Sequence, residues 1–266
     1  DQALNLMSRS SDRLRLGAVK LMTDGSIQGF TGRLKWPGYI NGRENGIWNT
    51  PPQQLNHIVE IMHANGLQMH VHANGDEASE ATLEAVGKAL SKYPRGEHRH
   101  VLQHCQMADR AQFARMAELG MCVNLFANHI WYFGDQHYDT TMGPDKAMRM
   151  DDCRTALDLG VPMTIHSDAP VTPLDPLFTA WCAVNRKTPQ GRVLGENHRI
   201  SVQEALHAIT LGAAYTLKLD SEIGSISVGK KADFSVLGDD PLAVDPMALK
   251  DIPVFGTVQG GRIFLT

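Results

Sequence analysis

Short apolar runs alternate with longer stretches of helical spacing through most of the chain. The runs are GAVKLMT (17–23), LQMHVHA (67–73), HVLQHC (100–105), MCVNLF (121–126) and PMTIHSD (162–168). Runs of this length, bounded by turn residues, predict strands buried on both faces of a parallel sheet. Between them, Pro51 and Pro52 open a predicted helix over Gln53 to Asn65 that stops near Gly66. A second helix is predicted from Asp76 to Tyr93, with Asp76 as its N-cap. Asp109 to Leu119 and Asp145 to Leu159 read as helices closed by Gly120 and Gly160. Alternation of this kind predicts an α/β fold, either a barrel or a doubly wound sheet. No GxGxxG follows a strand and no GxxxxGK[ST] occurs, so nucleotide-binding versions of the fold lose ground.

The pattern changes after Ser201. Residues 201–217 read as a helix, with Ser201 and Glu204 at capping-box spacing. The segments GSISVGKKADFSVLGDDPL and VFGTVQGGRIFLT read as short antiparallel strands with glycine turns. The chain therefore divides on paper into 1–217 and a C-terminal 218–266. The connection from Gly25 to Thr50, rich in Gly, Asn and Trp, is long for mere linkage and reads as a loop over a site.

Composition narrows the function classes. Of the 266 residues, 42% are hydrophobic and 20% charged, as in a soluble globular protein, and the length permits a large core. A net charge of −4 offers no basic footprint, which argues against nucleic acid. No apolar run approaches the roughly 18 residues of a membrane span, so no membrane partner is expected. The first residues lack the regions of a signal peptide. Cys105, Cys122, Cys153 and Cys182 form no CxxC pair, which suits reduced thiols and a cytoplasmic setting.

The chemistry lies in where polar residues interrupt the apolar runs. Lys20 sits inside one run, His72 ends the next, His104 the one after, and Asp168 the last. Side chains at the C-terminal ends of parallel strands converge in barrels. Imidazole with carboxylate suits a divalent metal, zinc first. A bound metal lowers the pKa of its water to about 7 in favourable sites, and a neighbouring carboxylate can shuttle the proton. Each residue also has a plain structural use. A strand histidine is commonly hydrogen-bonded core, an edge lysine reaches solvent, and an aspartate in SDAP caps a turn. The coincidence of all four at successive strands favours one shared site. His70 forms an HxH with His72, but MHVHANGD places only the latter at the strand end, so His70 reads as structural.

The segments VKLMTDGS, VHANGDEA, QHCQ, HSDAPVTPLDPL and IGSISVGKKADFSVL, in this order, resemble the amidohydrolase superfamily. They are most similar to its family 3 branch, which includes N-substituted formamide deformylase. The resemblance runs through nearly the whole chain. It implies the later strands of a partial (β/α)8 TIM-type barrel with C-terminal β-sandwich strands. It also implies metal ligands at Lys20, His72, His104 and Asp168. Lys20 would be carbamylated, Asp168 would serve as general acid/base, and His129 would contact substrate. The implied function is hydrolysis of carbon–nitrogen bonds in a small-molecule amide by metal-activated water. A phosphotriesterase-like or dihydroorotase-like hydrolase is the alternative enzyme, and a catalytically inactive fragment or non-enzymatic binding protein the alternative class. The pattern's first-strand HxH has no counterpart before Lys20, so a truncated chain with a mononuclear site is expected. Open barrel edges would then favour a homo-oligomer. Trp36, Trp48, Trp131 and Tyr132 are candidates to line an apolar pocket.

Overall fold

Five parallel strands follow the five apolar runs, and a computed structural model describes them within residues 2–12, 14–40 and 42–265. After a short α1 (Gln2–Met7) come β1 (Ala18–Met22), β2 (Gln68–Ala73), β3 (Val101–His104), β4 (Cys122–Leu125) and β5 (Met163–Ile165). They pair in sequence order in one parallel sheet, with β1 and β5 at its margins. The crossovers carry α2 (Pro52–Ala64), α3 (Asp76–Lys92) and α4 (Arg110–Leu119). Pro52 opens α2, where a missing N–H costs nothing. An Asp109–Gln112 capping box starts α4 and left-handed Gly120 ends it. Asp76 departs from expectation. Gly75 is the N-cap of α3, and the Asp76 carboxylate instead accepts the Lys35 N–H at 2.7 Å, fastening the 25–50 connection.

Alternation across the sheet separates two environments. Met69, Val71, Leu102, Val123, Leu125, Met163 and Ile165 face the helices and form the main core. The other face carries Lys20, His70, His72, Gln103, Asn124 and Thr164, as the register requires. There Asn124 Nδ2 donates to Gln103 Oε1 at 2.7 Å, and Gln103 Nε2 donates to His70 Nδ1 at 2.9 Å. His70 Nε2–H then meets the Thr216 carbonyl at 3.3 Å. Both His70 nitrogens are thus engaged in bridging the sheet.

Two expected helices are interrupted. Between β4 and β5 lie α5 (His129–Gln136), α6 (Pro144–Ala147) and α7 (Cys153–Asp158). Asp145 to Leu159 is not one helix because Asp151 is left-handed at φ 49°. The buried Arg186 guanidinium also takes the Met150 and Asp151 carbonyls at 2.7 and 2.9 Å, oxygens that a continuous helix would use. After α8 (Pro176–Asn185), the 201–217 stretch divides into α9 (Val202–Ile209) and α10 (Leu211–Thr216) at Thr210, whose φ −121° and ψ −93° are not helical. The Ser201–Glu204 capping box is present. At the C-terminus β6 (Phe234–Leu237), β7 (Val254–Gln259) and β8 (Arg262–Leu265) make an antiparallel three-stranded sheet. Among the described residues no helix is long and apolar enough to cross a membrane, and all four cysteines are buried and free.

The 25–50 connection is pinned along its length. It has its own small core of Ile27, Leu34 and Tyr39 packed on Ile130 and Met142. Gly75 is required where this connection crosses α3, since a Cβ there would lie 1.7 Å from the Arg33 carbonyl oxygen. The four aromatics do not gather. Trp36 is 93% exposed, Trp48 lies under the Arg33 guanidinium, and Trp131 packs edge-on to Trp181. Tyr132 leans on Phe178.

At the opposite end of β2 and β3, three histidines make a closed hydrogen-bond chain. His100 Nδ1 accepts the Met69 N–H at 3.1 Å, which puts the ring proton on Nε2, 2.9 Å from His63 Nδ1, with Arg95 Nη2 3.3 Å from the same nitrogen. His63 Nε2–H then donates to the Tyr93 carbonyl at 2.8 Å. His98 Nδ1 accepts the His100 N–H, and its Nε2–H reaches the Leu119 carbonyl. No lone pair is left for a further proton, and burial holds His63 and His98 low and pushes His100 down to about 2. Below pH 6.5 the unfolded chain binds protons that the fold refuses, so this stability is complete above that pH and lost beneath it. For His100 alone, the drop from pH 7.5 to 5 is about 2 kcal/mol. Urea midpoints across that range should fall with acidification, and less steeply in His100→Gln. Identical slopes for the two chains would contradict the neutral-chain account.

Candidate metal centre

Each strand ends on the same side of the sheet, and the chain leaves each end differently. His104 is the last residue of β3 and sits in register with Ala73 and Leu125, both fully buried in the helix-facing core. By alternation its side chain belongs there too. Instead His104 and Cys105 adopt φ 67° and 52°, a left-handed kink. Each such residue costs about 1–2 kcal/mol outside glycine. The kink turns the imidazole towards the polar side, where its ring centroid lies 4.4 Å from His72 and 4.9 Å from His166. Asp168, two residues past His166, is also left-handed at φ 52° and so reaches the same point.

His104, His166 and Asp168 each place one donor atom so that all lie within 4.8 Å of one another. His104 Nδ1 and His166 Nε2 are buried and have no protein hydrogen-bond partner. Burial holds His104 well below the usual histidine range and pushes His166 down to about 3, and neighbouring imidazoles and Lys20 add to both shifts. Two neutral rings with unused nitrogens beside a carboxylate fit a divalent cation, which favours deprotonated N and O donors. Leaving such nitrogens buried and unpaired is otherwise unfavourable by about 1–3 kcal/mol each.

His72 stands beside this group. Its Nε2 lies 3.0 Å from the Gly25 carbonyl and 3.1 Å from Asn74 Nδ2, so this nitrogen is held by the protein and Nδ1 is the one turned to other partners. Burial keeps the ring's pKa below the ordinary value. Asp24 organises this corner. Its buried carboxylate accepts the N–H groups of Arg33, Asn74 and Gly75 at 2.8, 2.9 and 2.9 Å, tying the end of β1, the end of β2 and the 25–50 connection together. Burial pushes Asp24 up to about 7, against the pull of those three amides. Asp24 Oδ1 also lies 3.6 Å from His72 Nε2.

Lys20 is on margin strand β1, and its side chain is exposed along the open edge. The protein mass around the ammonium nevertheless lowers its pKa, partly offset by Asp168. His129 opens α5, is 2% exposed, and faces Asp151 across 3.5 Å.

Of the candidates, then, His104 and Asp168 enter the three-donor group, His72 adjoins it, and Lys20 couples to it through charge. His166, Asp24 and Asp151 were missed in the sequence. His166 could have been found from the HxD spacing with Asp168, by the same i, i+2 logic applied to His70 and His72. A cavity of about 380 Å³ lined by His166, Ser167, Asp168, Leu174 and Pro176 opens beside the group. A larger surface groove of about 590 Å³ runs among Glu84, Lys88 and Arg115, distant from these donors in the fold.

Comparison with known proteins finds that residues 1–264 match a family model described as the amidohydrolase family. The chain is 30% identical over 266 residues to the YtcJ protein of Bacillus subtilis (strain 168), covering 99% of this chain and 50% of that one. It is 30% identical over 198 residues to N-substituted formamide deformylase of Arthrobacter pascens, covering 74% and 36%. Among solved structures, an uncharacterized metal-dependent hydrolase from Pyrococcus horikoshii OT3 superposes with a TM-score of 0.78 at 25% identity, covering 92% of this chain and 50% of that one. The chain spans about half the length of the curated relatives it matches.

The donor geometry predicts that His104→Ala and His166→Ala each weaken cobalt(II) binding by more than about 100-fold, beyond the loss usual for residues that only hydrogen-bond to a ligand. His70→Gln should bind as the parent does. Visible-absorption titrations with Co²⁺ measure this, and unchanged binding in His166→Ala would remove that residue from the site.

Proposed function

The chain belongs to the amidohydrolase family, and from that premise we propose that it is a metal-dependent hydrolase of carbon–nitrogen bonds in small amides. One observation carries the reading. Two imidazoles with buried, unpartnered nitrogens meet the Asp168 carboxylate at the C-terminal ends of parallel strands. The five strands are read as the later part of a (β/α)8 barrel and the antiparallel sheet as part of a β-sandwich, with the division at 217/218. His104, His166 and Asp168 would hold the metal, with His72 beside them, and zinc is the first choice for such N and O donors. A bound divalent ion supplies Lewis acidity and a water of lowered pKa.

The chain's own groups do the remaining work. Asp168, half-buried beside a cavity, accepts a proton from the attacking water and returns it to the leaving amine. The burial of His104 and His166 keeps them unprotonated as ligands through the neutral range. Lys20, with its pKa lowered, keeps more of its amine neutral. A neutral amine adds CO₂ through its nitrogen lone pair to form a carbamate with release of one proton, so that a neutral nitrogen becomes an anionic oxygen donor. Margin strand β1 is largely exposed, so a homo-oligomer formed through it is part of the same proposal.

With zinc and bicarbonate present, the chain should hydrolyse members of a panel of N-formyl and N-acetyl amines. Asp168→Asn should lower kcat by at least about 100-fold, the scale of a lost general acid/base. A panel with no substrate turned over, at full zinc loading, would count against the reading. Incubation with ¹³C-bicarbonate should give a carbamate carbon signal in the NMR spectrum that Lys20→Ala removes. A signal that persists in Lys20→Ala would assign the carbamate elsewhere.

A further inference from the structure

Beneath the candidate centre lies a buried carboxylate with no hydrogen bond. Asp151 and His129 are 0% and 2% exposed. Neither carboxylate oxygen of Asp151 has a hydrogen-bond partner, and neither does His129 Nδ1. These unpartnered atoms face each other, with Asp151 Oδ2 3.5 Å from His129 Nδ1. An isolated buried carboxylate is strongly unfavourable. Burial pushes Asp151 well above the usual carboxylate range, opposed by the Arg186 guanidinium and the Phe126 backbone N–H.

The backbone around Asp151 is fixed in a way that its own stability does not require. Its φ of 49° is left-handed, and its N–H is held by the Gln106 carbonyl at 2.8 Å. Arg186, itself fully buried and left-handed at φ 50°, takes the carbonyls of Met150, Asp151 and Leu194. Two left-handed residues and a buried guanidinium thus aim one side chain at one imidazole. Strain of this kind gathers at functional sites.

The imidazole so addressed belongs to the centre. Phe126 joins the two, with its ring 3.9 Å from His129 and stacked 5.0 Å from His166. His129 is coupled electrostatically to Asp168 and His72. It reaches His104 and His166 in the same way.

We propose that Asp151 is a positioning residue for His129: its carboxylate holds the proton on Nδ1 and so leaves Nε2 as an unprotonated acceptor for an N–H or O–H of the bound substrate. The inference rests on the hydrolase reading for its purpose, but not for its geometry. The 3.5 Å separation is long for a hydrogen bond, as catalytic hydrogen bonds often are before substrate binds. His137, the next imidazole, already engages Thr141 through Nδ1.

Long-range ¹H–¹⁵N correlation NMR on the histidine-labelled chain reads the tautomer directly, with His129→Gln assigning the signals. In the parent chain His129 should be protonated on Nδ1 and bare on Nε2. In Asp151→Leu, which offers no acceptor, the Nδ1–H form should give way to Nε2–H. With zinc loaded, the same variant should lose about 10- to 100-fold in kcat on the N-formyl amines, with KM and zinc content little changed. A parent His129 protonated on Nε2, or an unchanged tautomer in folded Asp151→Leu, overturns the pairing. If Asp151→Leu does not fold, the parent spectrum alone decides. The expected tautomer in a chain that binds no metal and turns over nothing leaves the pairing standing and removes the hydrolase reading.

Discussion

The candidate centre depends on turning a side chain away from the face that its strand assigns to it. On β3 the alternation sends Leu102 and His104 towards the helices, among Val71, Val123 and Leu125. A protonatable ring in that apolar layer would be costly. The left-handed kink at His104 and Cys105 reverses its direction and brings it against His72 and His166. The strain is affordable because the surrounding core is extensive and the strand ends are pinned from both sides. Without the kink, His166 and Asp168 would face each other with no third donor.

The pinning is done by polar groups in place of apolar packing. Asp24 gathers three amides from three segments and so fixes where His72 ends its strand. The sheet's polar face is crossed by a chain from Asn124 through Gln103 to His70, which occupies the first histidine of the HxH. Behind the centre, Arg186 holds the segment that breaks the 145–159 helix. These buried groups are hydrogen-bonded nearly everywhere. Unpartnered buried atoms remain among them, including the nitrogens of His104 and His166, the oxygens of Asp151 and the amide oxygens of Asn74 and Asn124.

Much of the fold was legible because parallel strands and their helices leave strong patterns. All five apolar runs became strands in order, and the proline start of α2, the α4 capping box and the Ser201–Glu204 box are where their residues place them. Local pattern failed where tertiary contacts override it. Helical spacing from Asp145 to Leu159 gives no hint of Arg186, which is 35 residues from Asp151 and competes for the carbonyls. Thr210 likewise looks helical until its backbone is seen. In the site, strand-end position marked His104 and Asp168. His166 was hidden inside its run, and Asp24 looked like the start of a loop. Asp76 looked like a cap because acidic residues at helix starts usually are.

The most direct test of the centre is X-ray absorption at the zinc edge on the chain loaded with one equivalent of Zn²⁺. The geometry predicts a first shell of imidazole nitrogen and carboxylate oxygen, with the outer-shell scattering of two rings, one of which disappears in His104→Ala. A shell of oxygen alone, or one containing sulfur from a buried cysteine, would contradict a site built by the kink at the end of β3.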